Sequence, residues 1–132
     1  MLTSVPGIGP LIAAAIAATV PDPKVFKTGR DFAAWIGLVP RQRSSGGKDR
    51  LGHISKQGNP YLRKLLVLAA TSHLRWMHKR SCSLTHWLRE LLRRRPARLA
   101  TVALANKLAR ICWALMFTGE LYRTELKPVS AA

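Results

Sequence analysis

Residues 59–79, NPYLRKLLVLAATSHLRWMHK, carry a long helical pattern around which the other helices of the chain can pack. Asn59 is a good helix cap and Pro60 suits the first helical position, so these residues predict a helix from Pro60 to about Lys79. Spacings of three and four residues place one set of side chains on a single helical face. That face consists of Leu62, Leu65, Leu66, Ala69, Ser72, His73 and Trp76.

The rest of the chain repeats helical patterns on both sides of this stretch, and no segment shows the alternation of a strand. Caps and breakers fit the same interpretation, because Gly37 and Gly119 follow apolar helical runs. We therefore predict an all-α fold, a compact helical domain of about five helices. The other four helices are expected after Gly9, from about Thr28 to Gly37, from Leu84 to Arg95, just before Pro96, and from about Arg98 to Phe117.

Immediately before the long helix, residues 41–58 are polar, basic and rich in glycine, which predicts an exposed Gly/Ser loop. Residues 41–64 together carry seven Lys or Arg against one acid, Asp49, and four glycines. Positive charge and unshielded backbone amides together suit a chain of phosphates. The candidate phosphate-binding side chains are Arg41, Arg43, Lys48, Arg50, Lys56, Arg63 and Lys64.

The whole chain is strongly basic, with 22 Lys and Arg against 6 Asp and Glu in 132 residues, a net charge of +16. Such self-repulsion indicates a polyanionic partner, while the hydrophobic fraction of 48% is that of a globular domain rather than a disordered basic tail. A second basic segment, residues 75–98, has eight Lys or Arg against one Glu. The further candidates for phosphate contact are Arg93, Arg94, Arg95, Lys107 and Arg110.

Near the start of the chain, residues 5–10 read VPGIGP and precede an alanine-rich segment. Gly7 and Gly9 let the backbone turn, and we expect the Ile8 side chain between them to pack into the core. Amides at the start of the next helix would then face a phosphate. The pattern predicts a partial helix–hairpin–helix element, with most of its first helix missing.

Several classes of protein are disfavoured. Cys82 and Cys112 lie in separate helical patterns without metal-ligand spacing, as expected of core residues in a reducing cytoplasm. The longest apolar run, Leu11 to Val20, is too short to cross a bilayer, and no signal peptide pattern is present. We expect a cytoplasmic protein with no membrane partner.

Five ordered blocks carry a resemblance to one family: VPGIGP at 5–10, AAWIGLVP at 33–40, SSGGK at 44–48, GHISKQGNPYLR at 52–63 and ANKLARI at 105–111. Together they resemble the C-terminal domain of the one-ten (116/110/902-type) family of bacterial insertion-sequence transposases. The resemblance covers residues 2 to about 122. We therefore expect one transposase domain at 1–122 and a disordered tail at 123–132.

The resemblance implies DNA transposition by a longer, oligomeric protein guided by a structured RNA. Family members carry an N-terminal RuvC-like half with a metal-binding acidic tetrad, and a serine of the C-terminal domain attaches covalently to DNA. Its place before a glycine matches Ser45, with Ser44 as the nearest rival. The six acids of this chain are scattered, so we expect no metal site or cofactor here and place Mg²⁺ in the missing half. The chain alone is then expected to be inactive.

A serine nucleophile needs exposure, a proton acceptor and positive charge around the reacting phosphate. Ser45 precedes two glycines, and Arg43, Lys48 and Arg50 lie within five residues of it and could neutralise the phosphate. His53 is the only local base candidate, and we rank it below a hydroxide or carboxylate supplied by the RuvC-like half. Ser55 better suits a turn or a cap.

Two alternatives remain at this stage. In the first, Ser45 only hydrogen-bonds a phosphate, and in the second, the chain is a non-catalytic fragment that binds DNA or guide RNA. In either case binding should run through phosphates and depend little on base sequence.

Overall fold

The computed structural model describes residues 2, 5, 7–20, 22–38, 40–45, 48–54, 59–79 and 83–119, with the backbone alone at 40–45, 48–54 and Ser83. Two short 3₁₀ turns, Pro23–Val25 and Met77–Lys79, accompany the helices. The five α-helices confirm the predicted all-α core. They are α1 Pro10–Thr19, α2 Gly29–Ile36, α3 Pro60–Trp76, α4 Ser83–Leu92 and α5 Ala97–Thr118.

The helix ends follow the predicted capping residues. Asn59 Oδ1 accepts hydrogen bonds from the amides of Tyr61 and Leu62, at 3.0 and 3.1 Å, and so begins α3. Thr28 Oγ1 accepts from the Asp31 amide at 3.1 Å at the start of α2. The left-handed conformation at the end of α2 and of α5 is supplied by glycine, as the sequence predicts.

Helix α5 is the centre of the core and contacts α2, α3 and α4. Small side chains on its buried face, such as Ala105 and Ala109, let the neighbouring helices approach closely. By length and composition α5 could cross a membrane, but its apolar residues also form the middle of this helical core. Its buried residues are Ala100, Leu104, Ala105, Leu108, Ala109, Cys112 and Leu115.

Cys112 confirms the prediction of a core cysteine. It is fully buried, and burial raises the pKa of its thiol to about 12, so the thiolate form is disfavoured and the group is inert. Cys82, for which the same role is predicted, lies outside the described residues.

The turn before α1 is a tight one that packs on α3. The Ile8 amide donates to the Val5 carbonyl at 3.0 Å, and Gly7 has a φ of 92°, as the third residue of a type II turn requires. Ile8 is buried in the core, as predicted. Of the first helix of the predicted helix–hairpin–helix element only Leu2 is described, so that element stays a prediction.

The prediction of an exposed loop at residues 41–58 is wrong for the part of that segment that the structure describes. The backbone there forms two antiparallel strands, β1 Pro40–Ser45 and β2 Lys48–Ile54, in a hairpin between α2 and α3. These strands escape a search for apolar alternation because their residues are mostly polar. Two glycines between the strands are nonetheless a typical two-residue hairpin signal, which the loop prediction missed. Gly46, Gly47 and residues 55–58, with Lys56 among them, lie outside the described part.

The predicted core face of α3 is right for most of its length and wrong at two positions. Leu62, Leu66 and Ala69 are buried, whereas Ser72 and Trp76 are exposed. His73 is fully buried and its Nε2 lies 3.1 Å from Thr85 Oγ1, which links α3 to α4.

Candidate nucleic-acid interface

Side-chain hydrogen bonds hold the segment that leads into the first strand of the hairpin against the helical core. Arg63 Nη1, on α3, donates to the Ile36 carbonyl at 3.1 Å, and Asn106 Nδ2, on α5, donates to the Leu38 carbonyl at 3.1 Å. The Ile36 carbonyl belongs to the last turn of α2 and has no partner within that helix. Two helices therefore hold the segment from which β1 departs.

These contacts change the interpretation of two residues. Arg63 was predicted to bind phosphate, but its Nη1 donates to a main-chain carbonyl, so the side chain also serves the fold. Asn106 stands among basic residues on a largely apolar helix and was not predicted to be functional. Its partner, Leu38, is 68 residues away, and sequence spacing gives no signal for such a contact.

Ser44 and Ser45 occupy the end of β1, next to the tip of the hairpin. The backbone register pairs Ser45 with Lys48 and Ser44 with Asp49. One step toward the base, Arg43 pairs with Arg50. Like charges at directly paired positions are unfavourable, and an anion bound at that end of the hairpin would relieve the repulsion.

The register also separates Ser45 from the only local base candidate. Ser45 is opposite Lys48, and His53 follows five positions later on β2, near the base of the hairpin. At about 3.4 Å per residue, the two backbone positions lie roughly 17 Å apart along the ladder. His53 is therefore badly placed to take a proton from Ser45.

A second basic feature is a shallow groove of about 370 Å³ between the start of α2 and α5. The helices touch there, since a Cβ added at Gly29 would lie 3.2 Å from the Arg110 Cα. Lys107 and Arg110, both predicted phosphate contacts, meet Arg30 in this groove, although Arg30 was missed because it is distant in sequence. Its lining residues are Thr28, Gly29, Arg30, Lys107, Arg110, Ile111, Trp113 and Ala114.

Three cations, Arg30, Lys107 and Arg110, line the groove, and none of its lining residues is acidic. Burial, and secondarily the charge of Arg110, lowers the pKa of Lys107 below its ordinary value. The Lys107 ammonium lies over the Trp87 ring, 4.7 Å from its centroid. In the described part of the chain, neither Lys107, Arg110 nor Arg30 forms an ion pair.

The third basic surface is the end of α4 and the turn after it. Arg93, Arg94 and Arg95 are all exposed there, as predicted. Arg93 pairs with Glu90 at 3.5 Å, a solvent-exposed contact of the kind that contributes little to stability. The other two arginines keep their side chains exposed, while their amides donate to the Leu91 carbonyl and close the helix.

Other predicted site residues differ in their surroundings. Gly7 and Gly9 sit in the turn before α1, and Lys64 is exposed near the start of α3. Only the backbone of Arg41, in β1, is described. Within the described ranges no group of three or more His, Cys, Asp or Glu residues could hold a metal ion.

A family model described as "Transposase IS116/IS110/IS902 family" matches residues 1–92. The chain belongs to this transposase family. The match includes the hairpin and α1 to α4, so the resemblance predicted from the five sequence blocks is confirmed.

Similarity to individual family members extends through α5. The chain is 52% identical over 122 residues to a probable family 20 transposase of Pseudomonas aeruginosa, covering 92% of this chain and 36% of that protein. It is 47% identical over 120 residues to the transposase for insertion sequence element IS1111A of Coxiella burnetii, covering 91% and 33% respectively. The present chain therefore spans about a third of the length of these relatives.

Proposed function

We propose that this chain is the DNA-binding, serine-bearing part of a cytoplasmic transposase and acts in strand exchange during transposition. The observation that carries the proposal is the register at the end of the hairpin. It brings the backbone positions of two serines next to three cationic positions, Arg43, Lys48 and Arg50. The anchoring of the hairpin base by Arg63 and Asn106 supports a fixed placement of that end relative to the core.

The cations have a defined task in the proposed chemistry. When a serine hydroxyl attacks a phosphodiester, an oxygen–phosphorus bond forms, the bond to the departing strand breaks, and negative charge builds up on the phosphoryl oxygens. Arg43, Lys48 and Arg50 would neutralise that charge. The serine then holds one DNA end as a phosphodiester, and a hydroxyl of another strand can attack it to release the serine.

The proton of the serine has to pass to a group outside the hairpin, since His53 lies far along the ladder. We place this acceptor in a RuvC-like half of the full-length protein, together with Mg²⁺, which would lower the pKa of a bound water. The described part of this chain has no acidic cluster that fits Mg²⁺. Further copies of the protein and a guide RNA complete the proposed partners.

Binding itself needs no serine, and three surfaces are suited to it: the hairpin, the groove beside Arg110, and the turn at Arg93–Arg95. All three present arginine or lysine without a base-reading helix, so we propose phosphate contact with little sequence preference. The net charge of +16 also supports the second candidate function, a non-catalytic module that binds DNA or guide RNA.

The experiment transfers this chain into an active full-length family member in place of the corresponding third, with Ser45→Ala and Ser44→Ala made separately. We expect a protease-sensitive protein–DNA adduct with the unaltered graft and with Ser44→Ala, and none with Ser45→Ala. Loss with Ser44→Ala alone would move the nucleophile by one residue. An adduct that survives both changes, or an unaltered graft that binds DNA without forming one, would contradict the catalytic proposal, and the latter result favours the binding module.

A further inference from the structure

The last turn of α3 and the 3₁₀ turn after it present an aromatic side chain among cations. Trp76 is 43% exposed, and its ring is nearly parallel to that of His78, with centroids 6.3 Å apart and planes 26° apart. The ammonium of Lys79 lies over the indole, 4.9 Å from its centroid. We call Trp76, His78 and Lys79 the Trp76 platform.

Positive charge surrounds this platform. Arg75 precedes it on α3 and is exposed. Arg89, on α4, reaches across and donates from Nη2 to the Met77 carbonyl at 3.4 Å. The acid nearest to Arg89 in sequence, Glu90, is paired with Arg93. An anionic ligand at the platform therefore meets several cations and, among the described residues, no acid in contact with them.

The side chains of the other three tryptophans make different contacts from that of Trp76. Trp35 packs against Phe26 and Phe32, at centroid distances of 5.5 and 6.2 Å. Trp113 donates from Nε1 to the Pro23 carbonyl at 2.9 Å and stacks on a phenylalanine. Trp87 is half-buried beneath Lys107. Trp35 is nearly as exposed as Trp76, at 39%, but among the described residues no cation lies over its ring, whereas Lys79 lies over Trp76.

We infer that the Trp76 platform stacks an unpaired nucleobase of a single-stranded nucleic acid, while Arg75 and Lys79 contact its flanking phosphates. The inference rests on the nucleic-acid binding proposed above and names the form of nucleic acid that this surface takes. Bases inside a duplex have both faces covered by their neighbours, whereas an unpaired base offers a face to an indole. The Trp76 ring already forms a cation–π contact with the ammonium of Lys79. Because the lysine side chain is flexible, that ammonium can move from the ring to a phosphate.

The test compares the 132-residue chain with Trp76→Leu, Trp76→Phe and the matched control Trp35→Leu. Ligands are oligodeoxyuridylate, oligouridylate of the same length, and a DNA duplex with the same number of phosphates. Trp76→Leu should weaken binding of the single strands about 5- to 150-fold and leave duplex binding within about twofold of the wild type. Trp76→Phe, which keeps an aromatic ring, should retain most of the affinity. Trp35→Leu, with its fold checked by circular dichroism melting, should not change it.

A 2-aminopurine placed in the single strand supplies a second readout, because its fluorescence is quenched on stacking. We expect quenching with the wild type and Trp35→Leu, and its loss with Trp76→Leu. A larger loss of affinity for oligouridylate than for oligodeoxyuridylate would identify RNA as the ligand, and the reverse would identify DNA. Equal losses would show that the sugar is not read.

The inference is overturned if Trp76→Leu binds single strands like the wild type, or if it loses duplex affinity to the same extent. Either result leaves the proposed function intact as long as the wild type binds the duplex. A wild-type chain that binds none of the three ligands would contradict the proposed function as well.

Discussion

The side-chain amide of Asn106 donates to the main-chain carbonyl of Leu38 at 3.1 Å, joining the central helix α5 to the segment that enters the hairpin. Leu38 is itself buried, so its carbonyl is a costly group to leave without a partner. The contact gives Asn106 a positioning role for the hairpin, beside Lys107 and Arg110, which face the basic groove.

Replacing Asn106 tests this role. Asn106→Leu should lower the free energy of unfolding by about 1–3 kcal/mol, because it leaves the Leu38 carbonyl without its donor. It should also speed tryptic cleavage in the hairpin at Arg41 or Arg43 under native conditions. Urea unfolding and limited proteolysis measure the two effects.

Thr101→Ala is the matched control on α5, since it removes only a hydrogen bond to Ala97 within the same helix. Its stability should stay within about 0.5 kcal/mol of the wild type. Equal proteolysis rates for Asn106→Leu and Thr101→Ala would show that Asn106 does not position the hairpin.

Two glycines in the turn before α1 are expected to respond differently to the same substitution. A Cβ at Gly7 would lie 3.0 Å from the Ala69 carbonyl oxygen, and its φ of 92° strains any L side chain. Gly9 has open space around it and a φ of −84°, which alanine adopts freely. Thermal and urea unfolding should show Gly7→Ala destabilised by about 1–3 kcal/mol and Gly9→Ala by less than about 0.5 kcal/mol. Similar losses for both would contradict the geometry of the turn.

Arg63 and Lys64 are adjacent cations with separate predicted tasks. Arg63→Met should cost about 1–3 kcal/mol of stability, since the Ile36 carbonyl loses a charged donor. Lys64→Met should leave stability nearly unchanged, because Lys64 is exposed, and should weaken duplex binding through the loss of one phosphate contact. Urea unfolding paired with fluorescence anisotropy separates the effects, and a Lys64→Met chain as destabilised as Arg63→Met would refute the division.

The hairpin cations should govern the salt dependence of duplex binding. Log affinity should fall steeply and linearly with log salt concentration in the wild type. Lys48→Gln and Arg50→Gln should each reduce the slope by about 1. Asp49→Asn, which removes the acid between them, is the control and should strengthen binding. A wild-type affinity insensitive to salt would contradict phosphate binding.

The five helices follow from the sequence because their apolar spacing and capping residues are local signals. Asn59 and Gly119, for example, mark their helix ends from the residue type alone. The hairpin was missed because strand pairing among polar residues leaves no periodic signal, and only the two glycines at its tip indicate it. The position of Trp76 was missed for another reason. Helical spacing assigns a residue to a face, but it does not show which residues of that face the neighbouring helices cover.

The site was less predictable than the fold. The basic character of the hairpin and of Arg93–Arg95 is visible in composition, whereas the meeting of Arg30 with Arg110 depends on how α2 packs on α5. The same holds for Asn106, whose partner is a main-chain carbonyl on a distant segment. Contacts between segments far apart in the chain come from packing, and no spacing rule gives them.

We propose that the end of the anchored hairpin carries the nucleophile, and mass spectrometry of the trapped adduct identifies the attached residue. The full-length graft is reacted with DNA, stopped by denaturation, and digested with nuclease and protease. We expect a nucleotide attached to Ser45, in the peptide that contains Ser44, Gly46 and Gly47. A nucleotide attached to any residue outside residues 44–45 would contradict it.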